Sequence, residues 1–481
     1  MIFKRFYDDT LAQASYLIGC AATGEAIVVD PNRLVDQYLA AAEFEGLRIT
    51  GVTETHIHAD YLSGTRELSA RSGARMYLSA CGTPDWQYAF AADPSVTLLH
   101  DGDEIRVGNI VLRAVHTPGH TPEHLMFLVT DGAVASEPMG ACTGDFLFVG
   151  DVGRPDLLEK AARVEGASDG AARELWRSLQ LLAEYPDHLQ VWPGHGAGSA
   201  CGKGLSAVPQ STLGYERRYN WAFEPASEDA FVTMVLAGQP EPPRYFGVMK
   251  RLNREGPALL GTLPSPERIG EGRLAGLLER GEVVVDTRTA AEFAAGHLPG
   301  TLSLPLNKSF TNWAGSLLPY DQDLYLLMAD ASRMSVDAAV RNLVLIGLDR
   351  VTGYFGAEAL GIWVAEGRAL LQVPQVSVSE LAAEREGKVV VDVRARSEWD
   401  AGHLPGAIHI PLPDLEARLE EIPEGSEVVM QCQGGGRSAI AASLLQARGR
   451  GAVANLAGGY GAWVGAGLPV DIPPGARRGA L

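Results

Sequence analysis

Thr55-His56-Ile57-His58-Ala59-Asp60-Tyr61 follows a strand expected over Ile49 to Val52 and sets two imidazoles and a carboxylate at alternate positions. Alternate side chains of an extended segment point the same way, so His56, His58 and Asp60 can converge on one point. Imidazole and carboxylate converging like this read as a metal site. Upstream, Leu34, Val35, Tyr38, Leu39 and Ala42 share one helical face between Pro31 and Gly46, which predicts a helix over Asn32 to Phe44.

Moving outward, further strands are expected at Val111 to Val115, Leu125 to Val129 and Leu189 to Trp192. They border three more polar turns: Thr117-Pro118-Gly119-His120-Thr121-Pro122-Glu123-His124, Thr143-Gly144-Asp145 and Trp192-Pro193-Gly194-His195-Gly196. A single loop histidine is ordinarily a hydrogen-bonded surface residue, but Gly-rich turns placed one after another behind strands form a set. Pro240-Glu241-Pro242-Pro243 and Pro264-Ser265-Pro266 then punctuate a boundary.

Beyond it the chain repeats itself. Val283-Val284-Val285-Asp286-Thr287-Arg288, Glu292 and Gly296-His297-Leu298-Pro299-Gly300 return with identical spacing as Val389-Val390-Val391-Asp392-Val393-Arg394, Glu398 and Gly402-His403-Leu404-Pro405-Gly406. The unit is too long for a solenoid repeat, so two tandem domains are expected, each a parallel α/β layer.

In the second copy the strand Val428 to Gln431 ends at Cys432, followed by Gln433-Gly434-Gly435-Gly436-Arg437-Ser438 and a helix over Ala439 to Arg448. Backbone N–H groups of a tight loop at a helix N-terminus stabilise negative charge and favour a thiolate, and Arg437 adds positive charge. Cys-x4-Arg closes a ring one residue shorter than a phosphate-binding Cys-x5-Arg loop and suits a single sulfur. The first copy has no cysteine; its loop reads Leu327-Met328-Ala329-Asp330-Ala331-Ser332-Arg333.

Composition narrows the remaining classes. The chain has 481 residues, 46% hydrophobic and 21% charged, with a formal net charge of -19. That charge disfavours DNA, RNA and anionic membrane surfaces as partners. No apolar run resembles a signal peptide or a membrane span, so a cytoplasmic location is expected. The five cysteines, Cys20, Cys81, Cys142, Cys201 and Cys432, are scattered and do not form a disulfide framework. Cys201 lies among glycines that would expose it and close to Lys203, which would favour its thiolate; a structural cysteine and a functional one are both open readings.

Three resemblances follow from these motifs. The order of the His and Asp turns resembles the metallo-β-lactamase fold, and within it the glyoxalase II and persulfide dioxygenase families. The Cys432 loop, with the Asp-x-Arg and Gly-His-Leu-Pro-Gly segments, resembles the rhodanese family. Together they resemble the persulfide dioxygenase-sulfurtransferases.

The fold implied is an αβ/βα sandwich over residues 1–250, then a rhodanese-like domain without the cysteine over 265–370 and a rhodanese domain over 374–475. A glyoxalase II-type hydrolase would use two zinc ions, the second bound by Asp60, the next residue, Asp145 and His195. Here the next residue is Tyr61, which favours one metal.

The dioxygenase resemblance implies mononuclear Fe(II) on His56, His120 and Asp145, with His58, Asp60, Tyr61 and His195 around it. Zinc on His56, His58 and His120 stays open. Cys201 is a candidate to contact the persulfide, and Cys432 and Arg437 with Gln433, Gly434, Gly435, Gly436 and Ser438 are candidates to carry sulfur. The implied reaction takes a low-molecular-weight thiol persulfide and O₂ to sulfite, and sulfur transfer then gives thiosulfate. A sulfane-sulfur carrier or sensor is a further alternative, and a homo-oligomer is a fold-level expectation.

Overall fold

The computed structural model describes residues 1–160 and 166–472. It forms two compact units, Met1–Thr262 with Val344–Gly347, and Leu263–Leu343 with Leu348–Leu481. Residues 473–475 of the third expected domain lie outside the described residues. No described helix is long and apolar enough to cross a membrane.

The first unit stacks two six-stranded sheets. One runs Ile2–Asp8, Gln13–Cys20, Glu25–Val29, Arg48–Thr53, Arg75–Ser79, Val96–Leu99, antiparallel at first and parallel from Glu25–Val29 onward. The other runs Ser211–Thr212, Gln190–Pro193, Gly140–Gly144, Leu125–Asp131, Ile110–His116, Glu104–Val107. Alternate residues Tyr16, Ile18, Ile27 and Val29 of the first sheet meet Leu112, Phe127 and Trp192 of the second. Their neighbours Leu17, Val28 and Val52 pack instead with Tyr38, Ala42 and Leu68 of the helices Asp36–Phe44 and Thr65–Ser72. Beneath the second sheet, Met126, Leu128 and Val191 pack with Leu175 and Leu179 of Ala167–Leu181 and with Phe231. Burial on both faces is why these strands read as continuous apolar runs.

The first helix begins at Asp36, not at Asn32 as expected. Asn32 turns its side-chain oxygen to the N–H of Leu34 and bridges Ser63, which satisfies that backbone outside a helix.

The second unit contains two five-stranded sheets of one topology, every pair parallel. In each copy the repeated Asp and Arg form the same buried fork: Arg288 Nη2 lies 2.6 Å from Asp286 and donates to Gly296 O, and Arg394 Nη2 lies 2.7 Å from Asp392 and donates to Gly402 O. The repeated histidines are structural too. His297 stacks on Phe293 at 3.8 Å and His403 on Trp399 at 3.5 Å, each donating Nδ1–H to the carbonyl of that aromatic residue.

The helix Gly436–Ala447 is buried along its centre, from Ser438 to Leu445. Part of that burial comes from the first copy, where the N–H of Ser303 donates to Ser443 Oγ at 3.0 Å.

Asp392 and Arg394 are 0% and 1% exposed, so truncating one leaves a buried charge unpaired. Asp392→Ala is expected to lower stability by about 3–5 kcal/mol, read by urea unfolding followed by tryptophan fluorescence.

Candidate functional site

Asp30 ends the Glu25–Val29 strand with a left-handed backbone, φ 52°. Its carboxylate accepts from the Thr55 N–H at 2.6 Å, the Thr55 hydroxyl at 2.9 Å and His58 Nε2 at 3.1 Å. Because the Thr55 hydroxyl gives its proton to Asp30, its oxygen accepts from His56 Nδ1–H at 3.0 Å. His56 therefore presents a bare Nε2. His120 and His195 are oriented likewise, donating Nδ1–H to the carbonyls of Arg154 and Ala12. Glu123 accepts the N–H of Ile57 and so holds the backbone between the two histidines of the loop.

The bare nitrogens meet at Asp145. His56 Nε2 and His120 Nε2 lie 3.9 Å and 3.5 Å from its Oδ2, and His195 Nε2 lies 3.5 Å from its Oδ1. Asp145 is fully buried and neither carboxylate oxygen has a hydrogen-bond partner. Burial, followed by the neighbouring imidazoles, holds His56 well below the usual histidine range, and burial lowers His120. Neutral imidazoles around an orphaned buried carboxylate are a poor arrangement by themselves and a good one around a divalent cation. His56, His120 and Asp145 thus fit a metal. His124 holds the Asp145 backbone in place, its Nε2 accepting the Asp145 N–H. Gly153 is obligatory, since a Cβ there would collide with the Asp145 carbonyl.

His58 is arranged differently. Burial would lower it, but Asp30 overrides this and raises it to about 9, with Nδ1 left unpartnered. Tyr61 is held by other partners. Burial pushes its phenol well above the usual range, and it donates to Asp30 O and accepts from Gln13.

Cys201 corrects the sequence expectation. It is 2% exposed, and burial and then Asp60 and Asp145 push its thiol well above the usual range. Lys203 does not activate it, donating instead to the carbonyls of Met234 and Ala237. The fold turns Cys201 and Gly202 inward while Gly198 and Gly204 stay exposed, with Arg154 reaching the Ala200 carbonyl at 3.0 Å. Asp60, His195 and Cys201 consequently form a second buried donor cluster next to the first.

In the second unit, Cys432 Sγ accepts from the Gly435 N–H at 3.2 Å and the Ser438 hydroxyl at 3.3 Å. Gly459 closes the loop where a Cβ would strike the Cys432 carbonyl. Arg437 is not a free charge, as both Nη atoms pair with Glu398, at 2.6 and 2.7 Å. The first copy shows why. Its matching Glu292 is held by the Thr289 hydroxyl, whereas Ala395 in the second copy has no hydroxyl and leaves Glu398 to the arginine. By ladder register, Gln431 faces Asp392 as Leu327 faces Asp286, so Met328 stands where Cys432 does.

Comparisons with known proteins match the domains in which both sites lie. The metallo-beta-lactamase superfamily model matches residues 8–195, and the rhodanese-like domain model matches 272–356 and 377–466. A solved metallo-beta-lactamase from Staphylococcus aureus subsp. aureus COL is 43% identical, covers 74% of this chain and 99% of its own, and superposes with TM-score 0.68. A probable metallo-hydrolase of Burkholderia pseudomallei is 30% identical over 49% of this chain and 86% of its own. The chain belongs to the metallo-beta-lactamase superfamily. It joins that fold to two rhodanese-like domains. A hydroxyacylglutathione hydrolase of Rhodospirillum rubrum is 32% identical over 37% of this chain, which covers 60% of that protein.

Within this superfamily fold, Glu123 offers a pH test. Burial raises its carboxyl from the ordinary 4.5 to about 7. The folded state keeps that proton between the two values while the unfolded state loses it, so stability falls as pH rises through this window. Glu123→Gln retains the acceptor for Ile57. It is expected to change little near pH 4 and to be more stable than wild type by on the order of 3 kcal/mol at pH 8, measured by denaturant titration of the metal-free protein.

Proposed function

We propose that the chain oxidises a low-molecular-weight thiol persulfide at a mononuclear ferrous site and passes sulfane sulfur through Cys432, as a cytoplasmic detoxifier of sulfide. The observation that carries this is the unpartnered Asp145 carboxylate facing bare nitrogens of His56 and His120, with Tyr61 withdrawn from ligation. When bound there, ferrous iron supplies open coordination positions and the redox chemistry that O₂ requires. One persulfide, one O₂ and one water give one sulfite, one free thiol and two protons.

Asp60 and His195, whose facing atoms lack partners, orient substrate and solvent. The Cys201 thiol, kept protonated by burial, lies against the same face as a neutral S–H contact for the substrate sulfur rather than as a nucleophile. In the second unit, sulfite attacks the outer sulfur of a Cys432 persulfide. A new S–S bond forms, the old one breaks, and thiosulfate leaves Cys432 as a thiolate held by the Gly435 N–H and Ser438 hydroxyl.

A two-zinc thioester hydrolase is the second reading. It is favoured by the Asp60, His195 and Cys201 cluster beside Asp145, where the thiol offers a donor that Tyr61 does not.

Metal analysis of purified protein, combined with oxygen uptake on glutathione persulfide, separates the two. One iron with oxygen consumed in proportion to sulfite is expected; zinc with no uptake would reject the dioxygenase. Cys432→Ser is expected to abolish thiosulfate formation while oxygen uptake persists, and loss of both would show that the sites are not separable.

A further inference from the structure

The two rhodanese-like copies treat one arginine in opposite ways. Arg437 ends the loop that follows Cys432, and in the same register Arg333 ends the loop that follows Met328. Arg437 sets its two Nη atoms on the two oxygens of Glu398, at 2.6 and 2.7 Å. Arg333 pairs instead with Asp337 at 2.9 Å and donates to Ser265 at 3.1 Å.

The cause lies at the residue that starts the helix carrying each glutamate. Ala395 and Thr289 share one backbone conformation, φ -61° and ψ 157° against φ -60° and ψ 152°, and each donates its N–H to the glutamate Oε2. Thr289 adds its hydroxyl to that oxygen at 2.6 Å and accepts the Glu292 N–H in return, closing a capping box. Ala395 has no hydroxyl to offer. The Glu398 carboxylate is left to a stronger donor, and the planar fork of Arg437 fits it at both oxygens. Asp337, which holds Arg333, has Ala441 as its counterpart in the second copy.

This ion pair lies within electrostatic reach of the sulfur. Burial would lower the Arg437 guanidinium, but Glu398 and then Cys432 raise it. Burial would raise Glu398, but Arg437 overrides this and holds its carboxyl below the usual range. Both side chains stay partly exposed, so an anion from solvent can meet them. A guanidinium fork already filled by a carboxylate has little left for an incoming oxyanion, and the carboxylate repels it.

We propose that Ala395 and Glu398 determine the specificity of the Cys432 loop, tying up Arg437 and so weakening the hold of the loop on sulfur oxyanions, sulfite and thiosulfate. This rests on the reading of Cys432 as a sulfur carrier. A weak hold lets thiosulfate leave once it is formed. The threonine of the first copy marks the substitution that reverses the arrangement, because the matching backbone accepts it without change.

The test measures sulfur transfer from thiosulfate to cyanide by the full-length protein. Glu398→Gln is expected to lower KM for thiosulfate about tenfold, and Ala395→Thr to lower it in the same direction, each with kcat little changed. Added salt is expected to shrink both gains, since a freed guanidinium attracts a dianion through a screened field. Combining the two substitutions is expected to give no further fall than Glu398→Gln alone, because the arginine is then already free. Ala395→Thr supplies a favourable helix cap, so it carries the test where Glu398→Gln fails to fold. An unchanged or raised KM in Ala395→Thr, a gain indifferent to salt, or additive gains in the double variant would overturn the proposal. Absence of transfer by wild type would remove the Cys432 reading itself, whereas wild-type transfer with an unchanged KM in the variants overturns this proposal alone.

Discussion

The metal region depends on one buried carboxylate. Asp30 holds the start of the histidine loop through Thr55 and fixes His58 directly, and through the Thr55 hydroxyl it decides which nitrogen of His56 faces Asp145. Among the described residues, the non-glycine positions with positive φ are Ala12 at 51° and Asp30 at 52°. Both serve the same centre, since the Ala12 carbonyl fixes the tautomer of His195. Left-handed backbone costs energy away from glycine and persists where the surroundings over-determine it. Here the compensation is a set of imidazoles delivered with their nitrogens already chosen.

The twin rhodanese-like copies show how little separates a scaffold from a reactive domain. Both keep the buried Asp–Arg fork and the stacked histidine, which hold the strand ends and the following loop. Two of the positions at which they differ bear directly on the cysteine loop. Methionine for cysteine removes the nucleophile, and threonine for alanine satisfies a glutamate locally that would otherwise bind the loop arginine. The second copy also has a helix buried along its centre, and the first copy supplies a partner for it at Ser303.

Local signals carried much of this into the sequence. Two-residue alternation from His56 to Asp60, the Gly-rich turns at His120, Asp145 and His195, and the repeat itself are short-range patterns, and the strands and turns stand where those patterns put them. What sequence reading missed is long-range. Asp30 acts on Thr55 across 25 residues, and nothing around Asp30 marks it as a hub. Arg154 positions His120 through its carbonyl and the Cys201 loop through its side chain. His124, four residues after His120, is the one such group that spacing alone could have suggested. The glycines around Cys201 read as exposure because they permit it, but tertiary packing decided otherwise.

The two cysteines of interest show why residue type alone does not define sulfur chemistry. Cys201 sits against Asp60 and Asp145 in a buried site, where a second negative charge is unfavourable and the thiol keeps its proton. Cys432 is equally buried, but its sulfur faces donors: a backbone N–H, a hydroxyl and the N-terminal turn of a helix. An anion-rich pocket that fits a cation and a donor-rich loop that fits an anion are opposite electrostatic environments. One chain thus holds a thiol buried among carboxylates beside a candidate metal site and another whose sulfur is surrounded by hydrogen-bond donors.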